Sequence, residues 1–227
     1  MIKAVVFDLD DTLYPEMDYV KSGFRCVSQE IEKIYGLKNA YDELIFLFGQ
    51  GRSGVFDRYL QKHALPCTEE AVSELVDAYR YHKPDISLTR EVKDMLTQLR
   101  DDGYKLGIIT DGRPKVQRKK LEALELSHFI DKIIITEELG GIEFRKPNPK
   151  AFEIMCSEFK ILYEEMVYIG DNPQKDFAVK KYFPIKTILF SSGLYQNEDF
   201  KGGIFPDEKI NCISDLFKTK ILGTSEK

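Results

Sequence analysis

The stretch Val5-Val6-Phe7-Asp8-Leu9-Asp10-Asp11-Thr12-Leu13 joins a short apolar run to a group of acidic residues near the start of the chain. The apolar residues 4–7 predict a buried strand. In an open α/β sheet, ligands bind beyond the carboxyl ends of the strands, so acidic residues placed here face a crevice. Asp8 and Asp10 lie two residues apart on an extended segment and therefore point the same way. Asp is also common in turns at strand ends, so these two residues need support from the rest of the chain.

Four more apolar runs have the character of that first strand. They are Leu106 to Ile109, Ile133 to Ile135, Met166 to Ile169 and Thr187 to Phe190. Their apolar residues are continuous rather than alternating, which is typical of a parallel sheet with helices on both faces. The sequence therefore predicts a five-stranded parallel sheet.

Helical patterns lie between these runs. One repeats at helical spacing from Val92 to Leu99 and is followed by Gly103, which suits a left-handed cap. Another begins with Asn148 as the predicted N-cap and Pro149 as the first helical residue. Alternating strands and helices predict a doubly wound α/β fold, similar to a Rossmann fold.

Residues 15–85 interrupt the alternation because they contain helical patterns and no convincing strand. Tyr14-Pro15 and Lys83-Pro84 bracket this region, and a proline disfavours helix in the residue before it. We therefore predict an α/β core from residues 1–14 and 86–227, with an inserted all-helical cap at residues 15–85.

The composition limits the partners of this protein. The formal net charge is -5, which gives no general attraction to nucleic acid or to an anionic membrane. No apolar run approaches the length of a membrane span. The four cysteines are widely separated and form no metal or redox motif. We expect a cytoplasmic protein that binds neither nucleic acid nor membrane; the sequence leaves its oligomeric state open.

Polar residues follow other predicted strands as well. Thr110 and Asp111 end the second strand, Lys146 lies in Arg145-Lys146-Pro147, and Gly170-Asp171 ends the fourth, with Asp176 after it. Each has an ordinary explanation as a turn, a cap or a solvated surface residue. Their joint occurrence at one edge of the sheet favours a shared site.

On these motifs the chain resembles the haloacid dehalogenase-like hydrolase superfamily, in its phosphatase branch with a helical cap of the C1 type. The resemblance covers essentially the whole chain and implies hydrolysis of a small phosphate monoester, such as a nucleotide or a sugar phosphate. It implies the nucleophile Asp8, the acid/base Asp10, and Mg²⁺ held by Asp8, Asp10 and Asp171. The implied phosphate ligands are Thr110, Asp111 and Lys146, with Asp176 behind the metal ligands.

Other functions compete with this interpretation. A dehalogenase expels halide and needs no proton donor, so the presence of Asp10 argues against it. A phosphomutase uses the same pair of acids and stays open. A phosphoaspartate receiver domain or a binding protein without activity ranks lower, since receivers lack a large helical insert. Arg52, in a glycine-flanked break of the insert, is a candidate for substrate specificity, although an ordinary solvated cation is an equal alternative.

Overall fold

The computed structural model describes residues 1–191 and 203–223. The chain divides into two compact units, one formed by Met1–Pro15 with Ser87–Lys227 and the other by Glu16–Ile86. We call them the core unit and the helical unit.

The core unit is built on a six-stranded sheet in which every neighbouring pair is parallel. In chain order the strands are β1 (Ala4–Phe7), β2 (Lys105–Thr110), β3 (Lys132–Ile135), β4 (Met166–Gly170), β5 (Lys186–Phe190) and β6 (Glu208–Ile210). Their order across the sheet is β3-β2-β1-β4-β5-β6. From β1 the chain continues to β2 and β3 on one side of β1, and it then crosses to β4, β5 and β6 on the other side. The strand order therefore reverses at β1. Ligands of doubly wound folds bind at such a reversal.

The predicted doubly wound fold is confirmed, and all five predicted strands are present. The edge strand β6 was not predicted, because it has three residues and only Ile210 is buried. Such a strand carries too few apolar residues to form a pattern. It gains its order from pairing with β5, where Ile188 faces Glu208 and Phe190 faces Ile210.

The helical unit contains four helices around an apolar core. They are α1 (Glu16–Tyr35), α2 (Ala40–Gln50), α3 (Val55–Lys62) and α4 (Glu69–Tyr81). The apolar stripe of α1 is buried from Val20 to Ile31, whereas Ile34 at its end is exposed. Helix α2 was not recognised in the sequence, since apolar residues occupy several of its faces and obscure the helical period.

Three helices of the core unit follow, namely α5 (Arg90–Asp101), α6 (Pro114–Ala123) and α7 (Lys150–Phe159). Gly103 adopts the predicted left-handed conformation after α5, with φ of 86°. The predicted start of α7 is wrong by one residue, because Pro149 is the N-cap and Lys150 the first helical residue. Asn148 still contributes, as its side-chain oxygen accepts a hydrogen bond from the Lys150 backbone N–H at 2.9 Å.

Helix α7 packs closely against the sheet at Gly107 of β2. A Cβ atom on Gly107 would lie 2.8 Å from the Met155 sulfur, which is closer than real Cβ contacts. Glycine therefore allows the helix to approach the strand.

No helix within the described ranges is long and apolar enough to cross a membrane.

Candidate functional site

Three of the predicted site residues lie at the carboxyl ends of the three central strands. Asp8 follows β1, Thr110 ends β2 and Asp171 follows β4. The register pairs Phe7 with Ile108 on one side and with Ile169 on the other. The strand ends therefore lie side by side, and the sheet gathers residues that are more than a hundred positions apart in the chain.

Lys146 is the centre of this group. Its ammonium lies 2.8 Å from Asp8 Oδ1 and 2.9 Å from Asp176 Oδ1, and it donates to the Tyr168 hydroxyl at 2.7 Å. Burial alone would lower the pKa of Lys146, but the charges of Asp176 and Asp8 raise it well above its ordinary value. Lys146 is therefore a fixed positive charge in contact with Asp8.

The carboxylates of Asp8, Asp171 and Asp176 form a compact acidic cluster, in which one oxygen of each lies within 4.8 Å of the others. Burial raises the pKa of Asp8 to about 6, although Lys146 opposes the shift. Burial, with the negative charges of Asp8 and Asp176, raises the pKa of Asp171 to about 8. Burial is the largest cause of both shifts, and neighbouring carboxylates raise both pKa values further. Three carboxylates beside Lys146 also give the cluster a net negative charge when all of them are ionised.

Asp176 is held rigidly within this cluster. Besides its contact with Lys146, its Oδ2 accepts a hydrogen bond from the Asn172 backbone N–H at 2.9 Å. A Cβ atom on Gly170 would lie 2.5 Å from the same oxygen, so the glycine at the end of β4 makes room for the carboxylate. Both oxygens of Asp176 are thus occupied by protein donors.

Asp10 has separate partners. Its Oδ1 lies 2.7 Å from the Lys120 ammonium and accepts a hydrogen bond from the Tyr14 hydroxyl at 2.5 Å. Gln117 donates through Nε2 to Asp10 Oδ2 at 3.0 Å and to Thr110 Oγ1 at 2.6 Å. Burial would raise the pKa of Asp10, but the Lys120 charge and these hydrogen bonds hold it below its ordinary value.

Asp111 uses both side-chain oxygens within the protein. Oδ1 accepts hydrogen bonds from the Thr136 hydroxyl at 2.8 Å and from the Lys146 backbone N–H at 3.0 Å. Oδ2 lies 3.2 Å from the Lys175 ammonium. Burial would raise the pKa of Asp111, but the charges of Lys146 and Lys175 lower it. In this structure the carboxylate of Asp111 fixes the segment that carries Lys146.

The sequence did not single out Gln117, Lys120, Tyr168 or Lys175. Gln117 and Lys120 are three residues apart on α6 and both are buried, which is unusual for such polar side chains. A buried polar pair is hard to detect beforehand, because Pro114–Ala123 is rich in lysine and resembles a solvated helix. The remaining predicted residue, Arg52, belongs to the helical unit.

The acidic cluster fits a divalent cation on the chemistry of its donors. Asp171 accepts no hydrogen bond from any protein group within residues 1–191 and 203–223, and the pKa values of Asp8 and Asp171 are raised. Magnesium prefers oxygen ligands such as carboxylates. A cation between Asp8 and Asp171 would offset the excess negative charge, whereas Asp176 is already engaged.

Comparison with curated proteins finds phosphatases. The chain is 34% identical over 230 residues to the glyceraldehyde 3-phosphate phosphatase of Pyrococcus abyssi, covering 96% of this chain and 93% of that protein. It is 32% identical to the enzyme of the same name from Methanopyrus kandleri, covering 87% of each. A phosphoserine phosphatase from Thermus thermophilus is 29% identical and covers 67% of this chain and 59% of that protein.

Solved structures share the fold over nearly the full length. A HAD phosphatase from Thermococcus onnurineus superposes with a TM-score of 0.61 at 25% identity and covers 98% of both chains. The HAD-hydrolase YfnB of Bacillus subtilis, bound to magnesium, gives a TM-score of 0.68 at 17% identity, covering 98% of this chain and 99% of the other. The model of the family described as haloacid dehalogenase-like hydrolase matches residues 5–190. The chain therefore belongs to the haloacid dehalogenase-like hydrolase family.

Proposed function

We propose that this protein is a magnesium-dependent phosphatase that cleaves a small phosphate monoester through a phosphoryl intermediate on Asp8. The observation that carries the proposal is the buried Lys146 ammonium, which bridges Asp8 and Asp176 beside Asp171, whose carboxylate accepts no hydrogen bond from the part of the chain that the structure describes. A structural ion pair needs only one carboxylate. Two carboxylates on one lysine, with a third carboxylate close to both, instead match a site that binds a cation and an anionic substrate.

Asp8 is the proposed nucleophile. One of its oxygens is oriented by Lys146 at 2.8 Å, which leaves the other to attack phosphorus. The bond from Asp8 to phosphorus forms as the bond from phosphorus to the ester oxygen breaks, so one difficult displacement becomes two easier ones. Asp8, Asp171 and the backbone carbonyl of Asp10 would hold the proposed Mg²⁺, whose positive charge would offset repulsion between the nucleophile and the phosphoryl oxygens.

Asp10 is the proposed acid and base. The departing alkoxide takes a proton from Asp10. In the second step Asp10 takes a proton from a water molecule whose oxygen bonds to phosphorus as the bond from phosphorus to Asp8 breaks, which releases inorganic phosphate and restores the Asp8 carboxylate. Lys120, Tyr14 and Gln117 stabilise the carboxylate form, which suits the second step. In the first step, the negative charge of the bound ester raises the pKa of Asp10 and favours the protonated acid.

Thr110 and Lys146 are the proposed phosphate ligands. Because Gln117 donates to Thr110 Oγ1, the hydroxyl keeps its own hydrogen for an acceptor such as a phosphoryl oxygen. Lys146 contributes positive charge next to Asp8, and this charge would stabilise the negative charge that develops on the phosphoryl oxygens in the transition state. Asp111 was also predicted to bind phosphate, but a carboxylate repels a phosphoryl oxygen. We therefore assign its side chain to positioning Lys146.

The names of the relatives support a small sugar phosphate as substrate. Two relatives above 30% identity are glyceraldehyde 3-phosphate phosphatases that align with most of this chain. Glyceraldehyde 3-phosphate is therefore the first ester to test, with phosphoserine and nucleoside monophosphates beside it. A cytoplasmic location stays a prediction.

The substitution Asp8→Asn tests the proposed function. It removes the nucleophile but keeps an acceptor for Lys146, so we expect the fold to survive and turnover to fall by about three orders of magnitude or more. Inorganic phosphate release with Mg²⁺ present measures the activity, and thermal melting monitors the fold. Asp94→Asn on the exposed surface of α5 is the matched control, with no expected change. Normal phosphate release by Asp8→Asn would refute the mechanism.

Replacement of the acid gives a different result for different leaving groups. In Asp10→Asn we expect alkyl phosphates to lose about 10²–10⁴-fold in kcat, because their leaving oxygen needs a proton, and nitrophenyl phosphate to lose less in the first step. Single-turnover rates on both esters separate this step from hydrolysis of the intermediate. Equal losses on both would argue against Asp10 as the acid.

Removal of the metal tests the acidic cluster. A chelator should abolish phosphate release, Mg²⁺ should restore it, and Ca²⁺ should restore it poorly because Ca²⁺ prefers more ligands at longer distances. Calorimetry provides a readout independent of turnover: Asp171→Asn should weaken Mg²⁺ binding about tenfold or more, since one of its two side-chain ligands is lost. Full activity in excess chelator would exclude the proposed metal.

Arg52 is proposed to contribute to substrate choice. Within the helical unit, Arg52 lines a cavity of about 260 Å³ with Phe24, Phe48 and Tyr79, and its guanidinium lies 5.5 Å from the Phe48 ring centre. Its Nη1 is 3.9 Å from Glu16, too far for a firm ion pair, so the cation is available to a ligand.

We expect Arg52→Ala to change the ranking of kcat/KM across a panel of phosphate esters, whereas Lys146→Ala should lower kcat on all of them. Lys38→Ala, at an exposed site of the helical unit, is the control. An unchanged ranking in Arg52→Ala would assign specificity to other residues.

A further inference from the structure

The three N–H bonds of the Lys146 ammonium are all used within the protein. A lysine ammonium has three donors, and those of Lys146 face Asp8, Asp176 and the Tyr168 hydroxyl at 2.7–2.9 Å. Its side chain has no exposed surface. To donate to a phosphoryl oxygen, Lys146 would have to release one of these partners, and each of them is buried as well.

Lys175 is a second cation at the same edge of the sheet, with more freedom. Its ammonium has one acceptor in the described part of the chain, Asp111 Oδ2 at 3.2 Å, and 30% of its side chain is exposed. Two of its donors therefore remain for solvent or for a ligand. It directly precedes Asp176 in the chain, so its backbone is fixed by the hydrogen bonds of the acidic cluster.

Lys175 belongs to the contacts that surround the proposed nucleophile. Asp176, the next residue in the chain, contacts Lys146, which also contacts Asp8. Asp111, the partner of Lys175, accepts a hydrogen bond from the Lys146 backbone N–H. The partly exposed contact of Lys175 with Asp111 contributes little to stability by itself.

We propose that Lys175 is a further phosphate-binding residue of this site, whose ammonium donates to a phosphoryl oxygen of the ester and of the inorganic phosphate product. The inference rests on the proposed function, since it names a further ligand for the same phosphoryl group. Asp111 holds the lysine in place from one side and leaves its remaining N–H bonds for the anion. Lys146 still orients Asp8 and supplies positive charge to the phosphoryl group, whereas Lys175 can donate to that group without releasing a buried partner.

The test is Lys175→Gln, which keeps a hydrogen-bonding side chain of moderate length and removes the charge. We expect KM and the inhibition constant of inorganic phosphate to rise about 10–100-fold, with a smaller change in kcat, because a charge-assisted contact to the phosphoryl group is lost in both. Calorimetry of inorganic phosphate binding with Mg²⁺ present should show the same weakening without any turnover. Lys175→Arg should restore most of the affinity.

Two controls separate this role from a structural one. Lys181→Gln, at an exposed lysine six residues further along, should change neither constant. In Asp111→Asn the partner of Lys175 is removed while the cation remains, so phosphate affinity should fall less than in Lys175→Gln. If Lys175→Gln lowers the melting temperature but leaves phosphate affinity unchanged, the inference is wrong.

The outcome for Lys175 can be separated from that for the proposed function. If the wild-type protein releases no phosphate from any ester, the proposed function fails, and weaker phosphate binding by Lys175→Gln would still support the lysine as an anion ligand. If the wild-type protein turns over and Lys175→Gln binds phosphate equally well, only the inference about Lys175 fails.

Discussion

The buried ion triad of Lys146 with Asp8 and Asp176 is the interaction on which the rest of the site depends. Removing charges from water is costly, and a buried pair is tolerated only when its remaining donors and acceptors are satisfied. Here the Tyr168 hydroxyl and the Asn172 backbone N–H complete the set. Loss of one member of such a network typically costs about 3–5 kcal/mol. The same contacts that preserve the fold therefore orient the proposed nucleophile.

The parallel sheet explains why these groups meet. The order β3-β2-β1-β4-β5-β6 places the ends of β1, β2 and β4 side by side at the point where the strand order reverses. Each of these strand ends adds a polar residue, namely Asp8 after β1, Thr110 at the end of β2 and Asp171 after β4. Helix α6 then adds Gln117, which links Asp10 to Thr110. The proposed phosphate ligand Thr110 and the proposed acid and base Asp10 are thus held in one hydrogen-bonded unit.

The sequence predicted the sheet and most of the candidate site because both depend on local signals. Continuous apolar runs mark buried strands, and acids directly after them mark the ligand-binding edge. Lys120 and Lys175 were not predicted, for a physical reason. A lysine is ordinarily solvated, and it joins a site only when a carboxylate from a distant segment meets it, as Asp10 meets Lys120 across 110 positions and Asp111 meets Lys175. Strand β6 was not predicted because its order comes from pairing with β5 rather than from its own composition.

The helical unit has an apolar core of its own, formed by residues such as Phe24, Ile31, Leu44 and Tyr59. It joins the core unit through only two chain crossings, next to Pro15 and Ile86. Mutations inside it can therefore accumulate, and its loops can change length, without disturbing the strands that carry the acids. Under the proposed function, in which Arg52 of this unit contributes to substrate choice, such a layout would let the reaction chemistry be inherited unchanged while the insert diverges, so that a lineage could acquire new substrates through the insert alone.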